Sequence, residues 1–283
     1  MIKNQNAMRD KLFNGKAIYN PKGKAGEYSE WACNFFNGCS NNCDYCYCKR
    51  GVRSHVWSDK PQLKKCFKDE ADALLRFENE LMANLPELRE KGIFFTFTSD
   101  PFLKETANLT WGAIHIALTH EVPVQALTKR VEFACSHLCL LPEKFRKMVA
   151  VGFTLTGHDE MEPGASTNLD RIKAMKELHL RGFKTFASIE PVVDFDSSLD
   201  MIKKTVGFCD LYKVGLMSGR TKMYDIQHAI DFVHEVHCVL EGNNAKVYWK
   251  ESIRNMVDVE ELAKLTDPDL IVSHDYNIFE EEL

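Results

Sequence analysis

The 283-residue sequence lacks the features of a membrane or exported protein. No stretch approaches the roughly 18 consecutive apolar residues that a transmembrane helix needs. Residues 1–16, MIKNQNAMRDKLFNGK, contain no apolar signal core. We therefore expect a cytoplasmic protein with no membrane partner, in a compartment that keeps thiols reduced.

Several common catalytic signatures are also missing. No G-x-G-x-x-G segment follows a predicted strand, and there is no phosphate-binding P-loop. The histidines at positions 228, 234 and 237 lack the spacing of a metalloprotease helix, and no Ser–His–Asp signature is present. The sequence therefore directs attention to its cysteines.

Ten cysteines are present, and four of them lie between Cys39 and Cys48. Cys39, Cys43 and Cys46 have C-x3-C-x2-C spacing. Three thiolates on one short loop can hold three irons of a [4Fe–4S] cluster and leave the fourth iron open to another ligand. A zinc knuckle that also uses Cys48 is the alternative. It is disfavoured because structural zinc usually pairs C-x2-C with a distant second pair.

The rest of the chain alternates between apolar β-branched runs and amphipathic helical segments, with few hairpin signals. This alternation predicts βα units around a parallel sheet. About six or seven units favour an α/β fold, an incomplete (β/α)6-type TIM barrel, over a flat doubly wound sheet. We predict a basic N-terminal arm at 1–26, the barrel at 27–240 and a C-terminal helical extension at 241–283.

Polar residues follow several predicted strands, and in a parallel barrel such positions share one mouth. Each of them alone could equally cap the following helix. These residues are Ser99-Asp100, Thr128-Lys129, Thr154 to Thr156, Glu190 and Ser218. Glu190 is expected to contact a ligand or to form a cap or salt bridge. Lys250, after the last strand, is expected to be exposed.

The cysteine spacing, with Tyr45 before Cys46, resembles the radical S-adenosylmethionine (SAM) superfamily signature C-x3-C-x-aromatic-C. The resemblance implies that Cys39, Cys43 and Cys46 bind a [4Fe–4S] cluster whose open iron chelates SAM. Such a cluster cleaves SAM to a 5′-deoxyadenosyl radical that abstracts hydrogen from a substrate. It also implies an external electron donor such as flavodoxin or ferredoxin.

A narrower resemblance, to the spore photoproduct lyase and "DNA repair photolyase" family, rests on the cysteine motif, TSDP at the second strand and a Thr-Lys pair at the third. It covers roughly residues 30–195. It implies a cofactor-binding role for a set of residues along the strand ends. In that set Tyr45 and Tyr47 flank SAM, Ser99 and Asp100 contact its methionine end, Lys129 pairs with its carboxylate, and Thr154 approaches the ribose.

One position departs from the lyase pattern. Phe97 occupies the place of the lyase's hydrogen-donor cysteine, and phenylalanine cannot donate a hydrogen atom to a product radical. A relative with another substrate is therefore expected. Tyr47 and Cys48 are our candidate catalytic residues for a redox or hydrogen-donor role, and Cys33 is a further candidate.

Basic residues flank the cysteine loop. Residues 1–26 carry six lysines or arginines against one aspartate, and Lys49 to Lys65 form a second basic run. They favour an anionic substrate, nucleic acid or nucleotide, although a solvated surface has the same pattern. A peptide or small-metabolite substrate is the second hypothesis. A non-catalytic metal- or nucleic-acid-binding module is the third.

Overall fold

The computed structural model describes residues 12–50, 54–264 and 267–280. The strands are β1 Ile18–Tyr19, β2 Ala32–Cys33, β3 Phe36–Asn37, β4 Gln62–Leu63, β5 Ile93–Phe95, β6 Val124–Thr128, β7 Val149–Thr154, β8 Lys184–Val192, β9 Leu211–Leu216 and β10 Lys246–Trp249. The helices are α1 Glu70–Ala83, α2 Leu85–Lys91, α3 Ala107–Thr119, α4 Glu132–Leu138, α5 Glu143–Arg146, α6 Asn168–Leu180, α7 Phe195–Thr205, α8 Ile226–Leu240, α9 Glu251–Arg254 and α10 Val259–Ala263.

One eight-stranded sheet organises the molecule, in the order β1-β2-β5-β6-β7-β8-β9-β10. From β2 to β10 the neighbouring strands are parallel, and helices connect each to the next. β1 pairs antiparallel with β2 at one edge, and within the described ranges it does not pair with β10 at the other. The sheet is therefore an incomplete barrel, as predicted from the alternation of elements.

Apolar spacing alone predicts helices that are longer than the observed ones, and a proline lies near each point where they break. The apolar spacing from Phe67 to Leu85 predicts a helix interrupted by Pro86, and the structure has α1 followed by α2 with Pro86 in its first turn. The pattern of residues 130–147 also predicts one helix, but the structure has two, α4 and α5, with Pro142 preceding α5. Proline cannot continue a helix because it lacks the backbone N–H. None of the helices in the described ranges is long and apolar enough to cross a membrane.

Apolar side chains fill both sides of the sheet. A large cluster joins the outer face of the strands to the helices, with Phe77, Ile114 and Val233 among its buried members. A smaller cluster, including Tyr28, Phe94 and Phe186, fills the barrel interior. Because that filling is largely apolar, the polar groups at the mouth are the ones positioned to contact a ligand.

The N-terminal segment runs along the open edge and then across the mouth. The carboxylate of Glu80 accepts the backbone N–H groups of Lys16, Ala17 and Ile18 at 2.7, 3.0 and 2.7 Å. Residues 20–28, which we name the strap, then pass from β1 towards β10. There Glu27 accepts the backbone N–H of Glu251 at 2.7 Å. Side chains from distant elements thus order a segment whose composition predicted only a polar arm.

Candidate functional site

A cavity of about 290 Å³ opens at the carboxyl ends of the parallel strands, between the cysteine loop and the strap. Eleven of the side chains that the sequence singled out as site residues line it. They are Cys39, Cys43, Tyr45, Cys46, Tyr47, Cys48, Ser99, Asp100, Lys129, Thr154 and Glu190. The strand ends therefore meet at one place, as parallel topology requires. Their individual roles remain predictions.

The cysteine loop is held by close backbone contacts on two sides. Gly38, at φ +95°, would place a Cβ 2.6 Å from the carbonyl oxygen of Ser58, so the turn into the loop requires glycine. On the other side, a Cβ on Gly164 would lie 2.1 Å from the carbonyl oxygen of Ser40. In the same segment, residues 159–164, the backbone carbonyl of Met161 accepts the Asp44 N–H at 3.0 Å. The loop is thus shaped by tertiary contacts as well as by its own turn residues.

The three motif thiols have different electrostatic surroundings. Burial, with the nearby charge of Asp100, raises the pKa of Cys39 well above its ordinary value, and burial also raises the pKa of Cys43. A hydrogen bond from the Cys48 side chain, together with backbone N–H groups, lowers the pKa of Cys46 to about 6. Iron binds cysteine as thiolate, so metal loading at this loop must release protons.

The thiols share the cavity without converging on one point. In the described part of the chain, no three Cys, His, Asp or Glu side chains are grouped as ligands of a single ion. A [4Fe–4S] cluster places each thiolate on a separate iron, so it needs three thiols on one loop rather than one common centre.

Asp100 joins the cysteine loop to the end of β6. Its buried carboxylate accepts four hydrogen bonds: from the Asn41 side chain at 2.8 Å, the Lys129 N–H at 2.8 Å, the Thr128 hydroxyl at 2.6 Å and the Phe102 N–H at 3.0 Å. All four partners belong to the protein. Asp100 therefore holds the side chain of Asn41 and the backbone of Lys129 in place.

Lys129 supplies a positive charge beside the cysteines. Its Nζ donates to the Thr154 hydroxyl at 3.2 Å and lies 5.6 Å from the centre of the Tyr45 ring. Burial disfavours the charge, but the neighbouring Cys43 and Glu162 outweigh it and raise the pKa of Lys129. The side chain is therefore cationic at neutral pH and lacks a carboxylate in direct contact among the described residues.

A buried ion pair supports this wall from behind. Arg171, fully buried, pairs with Glu162 and donates to the Thr154 carbonyl at 2.6 Å. Glu162 also accepts the hydroxyl of Tyr45. The pair thus fixes both the aromatic ring beside the cysteines and the end of β7.

Two buried polar atoms in the cavity wall have no hydrogen-bond partner in the described residues: Asn41 Oδ1 and Ser99 Oγ. Buried polar atoms are normally satisfied, so orphaned ones facing a cavity point to a missing ligand. An amino-acid zwitterion needs acceptors for its ammonium group and a cation for its carboxylate. Asn41, Ser99 and Lys129 offer that set, so the residues present fit the methionine end of SAM.

The candidate redox side chains lie at the rim of the same wall. The Tyr47 hydroxyl donates to the Phe97 carbonyl, and the Cys48 thiol lies 3.6 Å from that oxygen. Cys33 points away into the outer core and does not line the cavity. Tyr47 and Cys48 therefore remain candidates for the redox or hydrogen-donor role, whereas Cys33 does not reach the cavity.

The opposite wall of the cavity carries a polar network. Glu190 accepts the Tyr28 hydroxyl at 2.8 Å and the Lys250 ammonium at 2.7 Å, and Tyr28 also contacts the Ser188 hydroxyl at 2.7 Å. Lys250 is 1% exposed, so its predicted exposure is wrong. The reason is that the carboxylates of Glu190 and Glu27 compensate its charge inside the barrel.

Several residues of this site had little or no signal in the sequence. Tyr28 lies in the strap, Lys250 follows β10, and Arg171 and Glu162 lie on a helix and a loop behind the cavity. Nothing local marks a lysine as buried, because its burial depends on carboxylates that are distant along the chain. Lys250 had one usable signal, its position just after a predicted strand.

No protein-family profile matches the chain, and no curated protein matches its sequence. Solved structures do match. A cysteine-to-serine variant of spore photoproduct lyase superposes with a TM-score of 0.52 at 14% identity, over 90% of this chain and 65% of the lyase chain. A tyrosine-to-phenylalanine variant gives 0.50 at 14% identity, over 84% and 62%. SuiB of Streptococcus suis, solved with S-adenosylmethionine bound, gives 0.48 at 10% identity, over 84% and 53%.

The fold is thus an incomplete parallel β/α barrel, and it is similar to that of spore photoproduct lyase. The resemblance predicted from the cysteine motif and the strand ends is confirmed at the level of the fold. The chain spans 65% of the length of the first of these lyase chains. Its own reaction and substrate are matters for proposal.

Proposed function

We propose that this protein is a radical SAM enzyme. The observation that supports this most directly is the placement of the C-x3-C-x2-C loop at the mouth of an incomplete parallel barrel, in one cavity with Lys129 and two orphaned polar atoms. A metal-binding module would not need a cationic side chain and unsatisfied groups beside its thiols.

Each part of the cavity has a proposed task. Cys39, Cys43 and Cys46 hold the [4Fe–4S] cluster, which, once reduced by a flavodoxin or ferredoxin, supplies the electron that cleaves SAM to a carbon radical. Lys129 binds the SAM carboxylate, and Ser99 and Asn41 accept from its ammonium group. Asp100 fixes Asn41 and Lys129, while Tyr45 and Tyr47 flank the cofactor and Thr154 approaches the ribose.

The remaining predicted residues divide between cofactor and substrate. Glu190 lies beside Tyr28 and Lys250 rather than beside the cysteines, and we assign it to the substrate side of the cavity. Tyr47 and Cys48, which both approach the Phe97 carbonyl, are positioned at the boundary between the two sides. They are candidates for the redox or hydrogen-donor role.

Nucleic acid or a nucleotide is the substrate class that the charges favour. Exposed basic side chains lie on the strap and beyond the cysteine loop, and one of them, Lys24, lines the cavity: Lys22, Lys24, Arg50, Lys60 and Lys65. Arg53 and the arm residues Lys3, Arg9 and Lys11 lie outside the described residues. A peptide or small metabolite is the alternative, in which these lysines and arginines serve only as a solvated surface.

Anaerobic reconstitution tests the enzyme proposal. The protein is loaded with iron and sulfide, reduced with dithionite and given SAM, and the product 5′-deoxyadenosine is measured. We expect the product from the wild type and none from Cys43→Ala. Cys238→Ala, which removes an exposed thiol far from the motif, serves as the matched control. An intact cluster without 5′-deoxyadenosine would favour the non-catalytic module.

DNA binding at several salt concentrations tests the substrate class. Binding through phosphates weakens as salt rises, because bound counterions are released. We expect measurable low-salt binding that weakens when Lys22, Lys24 and Lys60 are changed together to glutamine. No binding at low salt would support the peptide or metabolite alternative.

A further inference from the structure

Tyr28 lies in the strap, and no pattern in the sequence identifies it as a site residue. Its ring is buried in the barrel interior, and it lines the cavity on the wall opposite the cysteine loop. The phenol contacts Ser188 at 2.7 Å and Glu190 at 2.8 Å. We propose that Tyr28 is the hydrogen-atom donor that quenches a carbon-centred radical on the substrate side of the cavity, an inference that rests on the radical SAM function proposed above.

Bond strength limits which cavity residues can serve as donors. A carbon radical readily takes hydrogen from a phenol or a thiol, whereas alcohol O–H and ammonium N–H bonds are too strong. Apart from the motif cysteines, the phenols and thiols that line the described cavity are Tyr28, Tyr45, Tyr47 and Cys48. Serine, threonine and lysine side chains in the same wall are excluded by this criterion.

Position then separates Tyr28 from the other three. Tyr45, Tyr47 and Cys48 belong to the cysteine loop, where Tyr45 bonds to Glu162 and the other two approach the Phe97 carbonyl. Tyr28 comes from the strap instead, and its phenol bonds to Ser188 and Glu190 on β8, while the edge of its ring packs on Phe97 with 6.0 Å between the ring centres. A substrate lying between the two walls has Tyr28 on the side away from the cofactor.

The surroundings hold the ring in place and keep its proton. Lys250 lies 4.3 Å and Lys213 5.3 Å from the ring centre, and Lys213 donates to the Tyr28 carbonyl at 2.7 Å. Burial, reinforced by the charge of Glu190, raises the pKa of the phenol well above its ordinary value. The side chain is therefore a phenol with an intact O–H bond, fixed by contacts to both its ring and its backbone.

The proposed step balances as a one-electron transfer with its proton. The O–H bond of Tyr28 breaks and a C–H bond forms on the radical carbon. The carbon is reduced by one electron, and Tyr28 is oxidised to a neutral phenoxyl. One electron from a flavodoxin- or ferredoxin-class donor, with one proton from solvent, restores the phenol.

Cleavage of SAM in D₂O without added substrate tests the assignment, because the cavity between the cofactor and Tyr28 is then open and the 5′-deoxyadenosyl radical takes the place of the substrate radical as the carbon to be quenched. Solvent exchange converts phenols and thiols to O–D and S–D, while carbon-bound hydrogens stay unlabelled. We expect 5′-deoxyadenosine carrying deuterium from the wild type, and a deuterium content falling to natural abundance in Tyr28→Phe. The deuterium content per molecule formed is independent of the yield. Freeze-quenched wild-type protein should also show a tyrosyl radical by electron paramagnetic resonance that Tyr28→Phe lacks.

Tyr248→Phe is the matched control. Tyr248 is buried in the same region, 6.0 Å from the Lys213 ammonium, but does not line the described cavity. Its loss should leave both the label and the radical signal in place. Deuterium that persists in Tyr28→Phe, or disappears instead in Tyr47→Phe or Cys48→Ala, would overturn the assignment. Absence of any 5′-deoxyadenosine with an intact cluster would instead overturn the enzyme proposal itself.

Discussion

The two walls of the cavity are built on different principles. The cysteine wall combines three thiols, the half-buried cation of Lys129, which has no carboxylate partner among the described residues, and the Asn41 Oδ1 and Ser99 Oγ atoms, which lack a hydrogen-bond partner there. The opposite wall is already satisfied, because Tyr28, Ser188, Glu190 and Lys250 bond to one another. The first wall is thus incomplete without a ligand, whereas the second holds a fixed arrangement on its own.

Because of this difference, the two walls should contribute differently to the free energy of unfolding of the cofactor-free protein. A network with its own counter-charges contributes to folding in the absence of any cofactor, and breaking one partner strands the others. Unsatisfied groups cost stability until a ligand arrives, and binding then recovers that cost. Substitutions on the two walls should therefore separate effects on folding from effects on cofactor binding.

The largest effect on stability is expected at Lys250. Lys250→Met leaves Glu190 and Glu27 without their shared cation and should reduce the free energy of unfolding by about 3–5 kcal/mol. Lys250→Met combined with Glu190→Gln should lose clearly less than the sum of the single changes. Chemical denaturation of the cofactor-free variants measures both. Additive losses would show that the pair is not coupled.

Asp100 should come next, since it is the most highly bonded group on the cysteine wall. Asp100→Asn places an amide against four donors and should reduce the free energy of unfolding by about 1.5–3 kcal/mol. It should also weaken SAM binding, because Asn41 and Lys129 lose their common anchor. Normal SAM binding in this variant, measured by isothermal titration calorimetry, would contradict the proposal that Asp100 positions Asn41 and Lys129 for the cofactor.

Lys213 should make stability depend on pH. Burial and the charge of Lys250 lower its pKa from 10.5 to about 7, so between these values the unfolded chain binds the extra proton. Stability due to this group therefore rises with pH, by up to about 1.4 kcal/mol per pH unit. Relative to Lys213→Met, the wild type should gain stability from pH 7 to pH 10. A difference independent of pH would show that the lysine keeps its ordinary pKa.

The smallest effects come from a matched pair of serines. Ser188→Ala removes the hydroxyl bonded to Tyr28 and should cost about 1 kcal/mol of unfolding free energy. Ser99→Ala removes an orphaned hydroxyl and should cost the cofactor-free protein little, yet weaken SAM binding. Thermal melts with and without SAM compare the two. Equal SAM binding by Ser99→Ala and wild type would remove Ser99 from the proposed cofactor site.

The sequence was informative where chemistry or periodicity is local. Cysteine spacing predicts an iron–sulfur loop whatever the surrounding fold, and the alternation of strands and helices predicts a parallel sheet. Together they place Ser99, Lys129 and Thr154 at one mouth, and the structure has them lining one cavity. Helix ends were less predictable, as the split at Pro142 shows, because apolar spacing continued through the break.

Residues that act through distant partners could not be found in this way. Lys250 is buried because Glu190, sixty positions earlier in the chain, meets it. Tyr28 enters the barrel because Lys213 and Glu190 hold its backbone and its phenol. Neither position has a local pattern, since an isolated lysine or tyrosine occurs as readily on a surface.

Spacing along the chain was enough to predict the cysteine loop, the parallel barrel and the polar strand ends, because it fixes which side chains share a loop or a face. The contrast between a wall with unsatisfied polar groups and a wall whose polar groups satisfy one another emerges only in the folded chain. That distinction depends on which polar atoms find partners after folding, and partners drawn from the strap, β8 and the turn after β10 meet only when the barrel is assembled.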